Sequence, residues 1–571
     1  MKKPLHFKIT VGVLLSIFTQ IACFAQFVPN QPVFQLPGIP LWTIGAQVRP
    51  RAEFRQGLGD PKLTSENSAA GFISQRTNLN LGFRFDKFNF LMDFRDVRVW
   101  GQDASTINNA DGNRLFLHQG WGEFTLATTA DTNCKLKIDN LSLKVGRQEI
   151  VYEDSRLFGN LDWLQQGRRH DAVVLKFLHK GYQVDLGGAF NQNTDAFNKT
   201  NNTYSSVNTS GFGTSSSGAL VPLPANFVQT NDAGGNMPVV AGAGPTTNAL
   251  NNHYKTLAFL VASRKFNQTK ITLMGINDNF QRYTVQTIPG GVSRGSAGGD
   301  TTNLGTLIGR SYNTNALNHR FTIGGQFSTQ IGNASENGKI LLNGGAYGQF
   351  GHNPAGRFIN AYHAFFYGTY TIGKWTFGPG YDILSGNTTN VTGSGATAAG
   401  SGDNRFDPLY GTPHRWWGYM DYFYVGTGSP RSGLQDFYFR LRHDRKNFWV
   451  TLDVHHFMTA GKDVNWRATA TTSTTTTDPI SGAVTTNTVQ NPFEKLESTY
   501  GQELDLVANY QINKFVNLEA GYSVFLATPT LAASKGLAGG KDGYDRFNQW
   551  AYLQLNFRPE FLYQKPVAIK N

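Results

Sequence analysis

Apolar and polar residues alternate one for one along most of this 571-residue chain. From Trp42 to Arg55 one face carries Trp42, Ile44, Ala46, Val48, Ala52 and Phe54, and the other Thr43, Gln47, Arg49, Arg51, Glu53 and Arg55. The same period recurs over 76–86, 320–330, 503–510 and 516–524, and in the last run Ala551, Leu553, Leu555 and Phe557 oppose Gln554, Asn556 and Arg558. A period of two is that of a β-strand with one dry and one wet face. The runs reach about 12 to 15 residues, well beyond the usual 5 or 6 of soluble strands. After the first 26 residues no stretch approaches the roughly 18 to 20 continuous apolar residues of a membrane-crossing helix.

The links between runs alternate short and long. Short ones fall at Asp86-Lys87, about 130–137, His179 to Gly181, Lys265 to Gln268, Gly332 to Gly338, Gly373-Lys374, Asp444 to Asn447 and Asn513-Lys514. Long ones fall at about 57–71, 101–114, 151–167, 193–252, 284–316, 352–358, 387–433, 461–497 and 528–546. The count predicts an all-β chain: a closed antiparallel transmembrane barrel of about 18 strands, with short periplasmic turns, long external loops and both termini on the short-turn side. Closure is required because an open edge in hydrocarbon leaves backbone groups without partners. At this strand number the lumen is too wide for wall side chains alone to fill, so a pore is the default function.

Residues 1–26 read as an export signal: Lys2, Lys3 and Lys8 precede an apolar stretch from Ile9 to Phe18, with Cys23 and Ala25 at the cleavage specificity positions. A lipoprotein reading at Cys23 is disfavoured by Gln20, where leucine is usual. Residues 27–41, with four prolines, are assigned to a periplasmic arm, 42–562 to the barrel and 563–571 to a C-terminal tail. An arm this short leaves no room for an internal plug domain ahead of the barrel. Pro50 and Pro559 break the ladder pattern and belong at bulges or rims. The 51 Lys+Arg less three leader lysines, against 39 Asp+Glu, give a mature charge of +9, which suits an anionic solute. With 2 Cys and no CxxC or HExxH spacing, neither a disulfide scaffold nor a zinc centre is expected; His170, His455 and His456 read as rim or core residues. No cofactor and no nucleic-acid partner are expected. An embedded hydrolase or adhesin is the competing class, but no GxSxG nucleophile motif accompanies the histidines.

Two long links differ from the Asn/Thr/Ser/Gly-rich loops 193–252 and 461–491 in their charge and aromatic content. One contains Gly146-Arg147-Gln148, Tyr152-Glu153-Asp154, Arg156-Leu157-Phe158-Gly159, Asp162-Trp163 and Arg168-Arg169-His170-Asp171. The other contains Tyr381-Asp382-Ile383-Leu384-Ser385-Gly386, Asp407-Pro408-Leu409-Tyr410-Gly411-Thr412, His414 with Gly418 and Asp421, and His455-His456-Phe457 further on. In these motifs the sequence resembles the alginate-export family of outer-membrane porins, and with the leader and the barrel pattern the resemblance covers nearly the whole mature chain. It implies an eighteen-stranded barrel with a narrowed cationic lumen that passes an anionic polysaccharide, with no enzymatic activity. A general anion-selective solute porin is the alternative.

Turning the polar face inward independently places Arg49, Arg51, Arg55, Arg76, Arg84, Arg95, Lys144, Arg320, Arg440 and Arg442 along a substrate path. Guanidinium groups present planar forks to carboxylates. Acids share that face, among them Glu53, Asp93, Asp185 and Asp453. Glu503, Asp505 and Glu519 are assigned to the last two strands, where closure would set them against the arginines of the first two as counter-charges. For Arg147, Arg156, Arg168 and Arg169, with Asp154, Asp162 and Asp171, two readings stand: an inward-folded constriction or a salt-bridged external turn. The expected surroundings are outer-membrane lipid and an anionic saccharide or other anionic solute. The sequence specifies neither the solute, the direction of transport nor a periplasmic partner.

Overall fold

The computed structural model describes residues 40–563 apart from 64–68, 102–114, 130–136, 193–211, 215, 217–219, 223–226, 230–253, 290–291, 295–300, 304–305, 334–337, 354–355, 388, 393–394, 399–401, 426–429, 431, 462–465, 468–471, 478–483, 490–493, 496 and 536–542. The export signal, nearly all of the proline-rich arm and C-terminal tail, and most of the polar loops 193–252 and 461–491 therefore lie outside the described residues.

Eighteen long strands form one sheet. They are β1 (Leu41–Gln56), β2 (Ala70–Phe85), β3 (Phe88–Val99), β4 (Leu115–Thr128), β5 (Asn140–Gln148), β6 (His170–His179), β7 (Tyr182–Phe190), β8 (Thr256–Phe266) and β9 (Thr269–Pro289). The others are β10 (Thr306–Asn333), β11 (Gly338–His352), β12 (Phe358–Ile372), β13 (Trp375–Leu384), β14 (Leu434–Asp444), β15 (Phe448–Met458), β16 (Thr499–Asn513), β17 (Val516–Ala527) and β18 (Phe547–Phe557). Each pairs antiparallel with the next, and β18 closes on β1 through Ala52 opposite Leu553 and Arg55 opposite Trp550. At Pro559 the last strand breaks. Its carbonyl accepts the Ala46 N–H at 3.0 Å, and pairing with β1 resumes over Glu560–Tyr563. A proline that cannot donate thus sits at the one irregularity of the seam.

The link at 284–316 is shorter than the sequence indicated. β9 runs on to Pro289 and β10 starts at Thr306, paired from Tyr283 opposite Tyr312 to Pro289 opposite Thr306. Thr284, Val285, Thr287 and Ile288 are good strand formers, so the hairpin extends beyond the barrel proper.

The distribution of polarity inverts that of a soluble domain. Leu273 (59% exposed), Ile323 (55%), Phe366 (51%) and Leu553 (51%) stand on the outer face, while Arg76, Asp278, His363 and Asp382 are at 0% on the inner one. An apolar surface continuous around a closed sheet is a lipid-facing belt. At the short-turn end Trp42, Phe83, Phe88 and Phe124 stack in series, with ring centroids 4.5, 6.2 and 4.9 Å apart, as in an interfacial aromatic girdle.

Candidate functional site

The barrel is filled from within by 149–169, the link between β5 and β6, and by 402–425 of the link between β13 and β14. They meet in the lumen at an isolated parallel bridge, where Gly159 N–H donates to Tyr410 O at 2.8 Å and Tyr410 N–H to Leu157 O at 2.9 Å, and Thr412 N–H adds a further bond to Ser155 O at 2.7 Å. Approach is close enough that a Cβ on Gly411 would overlap the Arg156 carbonyl, so glycine is required there. Among the described non-glycine residues with positive φ, Glu153, Ser155, Leu161, Leu409, Asp421 and Tyr424 all belong to these two segments. Such strained backbone persists only where surrounding contacts over-determine it.

Those contacts are numerous. Arg156 is buried between the rings of Phe365 and Trp416, 3.9 and 3.8 Å from its guanidinium carbon, and is ion-paired to Asp154 (2.9 Å) and to Asp382 of β13. Tyr422 stacks on Phe525 of β17 at 4.1 Å, and Phe423 packs on Phe457 of β15 at 4.8 Å. Met420 N–H donates to Glu503 Oε1 at 2.7 Å, and Tyr410 OH to Asp278 Oδ2 at 2.7 Å.

Most of the inward cations act on these segments. Arg49 donates to the Asp162 carboxylate (3.2 Å) and carbonyl (2.8 Å), Arg76 to the same carboxylate at 2.8 Å, Arg51 to Trp163 O at 2.9 Å and Arg95 to Gln166 O at 3.1 Å. Arg320 forks onto Asp278 and reaches Asp407 of the second segment at 2.7 Å. Arg440 pairs with Asp453 at 2.9 Å and donates to Arg415 O at 2.9 Å. Burial alone would raise the Asp162 carboxyl, but the flanking Arg49 and Arg76 outweigh it and hold the group well below the usual carboxylate range.

Six of the ten cations expected along the path are therefore anchors of the filling. The other four differ. Arg55 pairs with Glu53 at 2.8 Å, the Lys144 ammonium lies 3.9 Å over the Trp121 ring, Arg442 pairs with Asp444 at 2.7 Å, and Arg84 is exposed near the short-turn end.

Three expectations need correction. Of the two readings for Arg147 and Asp171 the inward constriction does not hold: they pair with each other at 2.8 Å, 37% and 52% exposed, on the outer face shared with Val145 and Val173, which agrees with the salt-bridged alternative. Arg156 and Asp154 are internal to the packed filling and do not face a pore. Glu503 and Asp505 stand on β16 and Glu519 on β17, one strand earlier than the sequence count, so none of the three adjoins β1. Glu503 and Asp505 accept the N–H groups of Met420 and Tyr419, and a Cβ on Gly418, at φ +82, would strike the Glu503 carboxylate. Of the remaining loop arginines, Arg168 donates to Gly411 O at 2.7 Å and Arg169 lies 4.5 Å over Phe116. The histidines have local roles: His455 Nδ1 meets Asp436 at 2.9 Å and His170 Nδ1 meets Tyr254 OH at 2.7 Å.

Opposite the arginine anchors the lumen stays open. A cavity of about 420 Å³ lies between the first segment and the wall of β15–β18, reached by Arg49, Asp162, Trp163, Trp449, Glu519, Gln554 and Arg558. A second, of about 350 Å³, shares Asp162, Trp163, Trp449 and Glu519 with it and adds His414, Arg415 and Tyr419. Trp163 is clamped between the Arg51 guanidinium (4.0 Å) and the His414 ring (4.6 Å), which stacks in turn on Tyr419 at 5.0 Å. Arg415 and Arg558 were not singled out from the sequence. Arg558 continues the inward parity of Gln554 and Asn556 and was legible there. Arg415 ends a single 3-10 turn, Pro413–Arg415, with no periodicity to assign its side.

A closed barrel with a lipid-facing apolar belt and a polar, partly filled lumen defines an outer-membrane channel protein of the porin kind. Within that class the chain is similar to the alginate export family, whose model matches residues 41–202. No curated protein sequence matches it. Similar solved structures include OpdQ of Pseudomonas aeruginosa at 9% identity, covering 91% of this chain and 98% of that one, with a TM-score of 0.47. A BenF-like porin from Pseudomonas fluorescens Pf-5 is 11% identical over 91% and 99%, TM-score 0.47, and OprD of Pseudomonas aeruginosa 9% identical over 93% and 96%, TM-score 0.46.

Proposed function

We propose that the protein facilitates passage of an anionic oligosaccharide or polysaccharide, alginate-like in chemistry, along the open side of its lumen. The observation that carries this reading is the charge left over there. Among the described residues, Arg415 and Arg558 make no ion pair, and both line the cavities. Asp162 is already matched by Arg49 and Arg76; Glu519, hydrogen-bonded by the neutral Asn509 Nδ2 (3.0 Å) and Tyr552 OH (3.1 Å), keeps its charge, so the two arginines against this one acid leave a net positive charge. Unmatched guanidinium groups beside low-dielectric walls concentrate anions. Two separate ones bind weakly enough for release, which conduction requires. The likeness to the alginate export family adds a carboxylate-bearing polymer as the cargo class.

The test is the reversal potential of single channels across a KCl gradient, followed by block with an oligouronate. The wild type is expected to be anion-selective and blocked, and Arg415→Glu with Arg558→Glu to lose both properties. Anion selectivity without uronate block would instead favour the general anion porin. A cation-selective wild type would refute both readings.

A further inference from the structure

The wall of the larger cavity is built mainly from amides. Asn509 and Gln511 of β16, Asn517 of β17, and Gln554 and Asn556 of β18 all line it. Strand register arranges them in two cross-strand rows. Gln511 lies opposite Asn517, which lies opposite Asn556; two residues along, Asn509 lies opposite Glu519, which lies opposite Gln554. Neighbouring strands are about 4.8 Å apart and alternate residues on one strand about 6.8 Å, so the rows make a grid on the scale of a pyranose ring and its hydroxyls.

Two observations separate this wall from ordinary lumen lining. Gln554 is 5% exposed, yet its Oε1 has no hydrogen-bond partner while the residue lines the cavity. That oxygen is closed off as the side chain stands, and turning the amide toward the cavity to meet a bound hydroxyl would recover the free energy that an unpartnered buried acceptor costs. Arg558 stands one inward step beyond Asn556 on the same strand, so a cation borders the grid at the short-turn end.

We propose that the β16–β18 wall is a sugar subsite that reads hydroxyls through its amides and a carboxylate of the same chain through Arg558. Asn509 Nδ2 is given to Glu519, Gln511 Nε2 to backbone carbonyls and Asn556 Oδ1 to Gln47, which leaves Asn517, Gln554 and the remaining amide atoms to donate or accept, as a hydroxyl does, in either orientation of a vicinal diol. The Glu519 carboxylate within the grid disfavours a second anion there and assigns that part of the wall to the hydroxylated face of the ring. This rests on the anionic-saccharide reading and deepens it: charge alone would pass chloride or phosphate equally, whereas the grid selects a polyhydroxylated solute.

The experiment measures residence times of current block by maltotriose, which is neutral, and by trimannuronate, in the wild type and in Gln554→Leu. Asn517→Ala, at a half-buried position, serves if the first variant does not fold. Both sugars are expected to block the wild type, trimannuronate for longer, and the variant to shorten both residence times about fivefold to tenfold, the effect of one lost hydrogen bond. Unchanged residence of both sugars in either folded variant would overturn the subsite. The wild-type reversal potential in the same membrane tests the underlying reading separately: a cation-selective channel whose maltotriose block still depends on Gln554 would keep the subsite and refute the anion.

Discussion

The lumen has two unlike walls. On β1–β3 the inward arginines Arg49, Arg51, Arg76 and Arg95 are buried and committed to the Asp162 carboxylate and to backbone carbonyls of the 160–167 segment. Where β16–β18 border the cavity, the inward residues are mostly amides, with Glu519 and with Arg558, which makes no ion pair among the described residues. The difference teaches that a basic lumen is not the same as a basic path. A guanidinium buried against protein oxygens contributes structure, and only the groups outside that filling are available to a solute.

Variants can break this contrast. The largest effect is expected from Arg156→Met, which leaves Asp154 and Asp382 without their cation in a buried site. Such a loss costs about 3–5 kcal/mol. Both inward segments should loosen together, lowering the denaturant midpoint of the barrel and raising single-channel conductance; a stable variant of unchanged conductance would show that the clamp does not hold them. Arg49→Gln with Arg76→Gln should have a smaller effect, freeing only 160–167, with more frequent open-state fluctuations and little change in the denaturant midpoint. Because Asp162 titrates below its ordinary range, this attachment is complete above about pH 4 and declines as pH falls further. Wild-type conductance should accordingly be flat from neutral pH down to that point and become noisy below it, as the double variant is at neutral pH. Arg147→Gln should do least. Its pair with Asp171 is exposed and on the outer face, where such bridges contribute about 0–1 kcal/mol, and neither conductance nor selectivity should move.

Architecture was legible in the sequence because lipid enforces it: a strict period of two and alternating link lengths follow from burying every backbone group in a closed sheet. They fixed the strand number and the inward parity of Arg49, Arg76 and Arg320. Parity does not report what an inward side chain meets. Asp162, Gln166 and Asp407 come from segments without period, and whether these fold inward depends on contacts such as Arg156 with Asp382, 226 residues apart. The strand assignment also failed by one for Glu503, Asp505 and Glu519, which moved three expected counter-charges away from β1. Amides escaped notice for a different reason. Asn and Gln on a wet face read as neutral filler until strand register sets Asn517 between Gln511 and Asn556.

The most direct test of the two-wall account is thiol accessibility in the open channel. With the native Cys134 replaced by serine, single cysteines are placed at Asn517, on the amide wall, and at Asn78, buried on β2 in register with Gln47 of β1 and Arg95 of β3. A charged methanethiosulfonate reagent is then added during conductance recording. The account predicts a stepwise fall in current for Asn517→Cys and none for Asn78→Cys. Modification of Asn78→Cys with Asn517→Cys left unreacted would place the path along the arginine wall and contradict it.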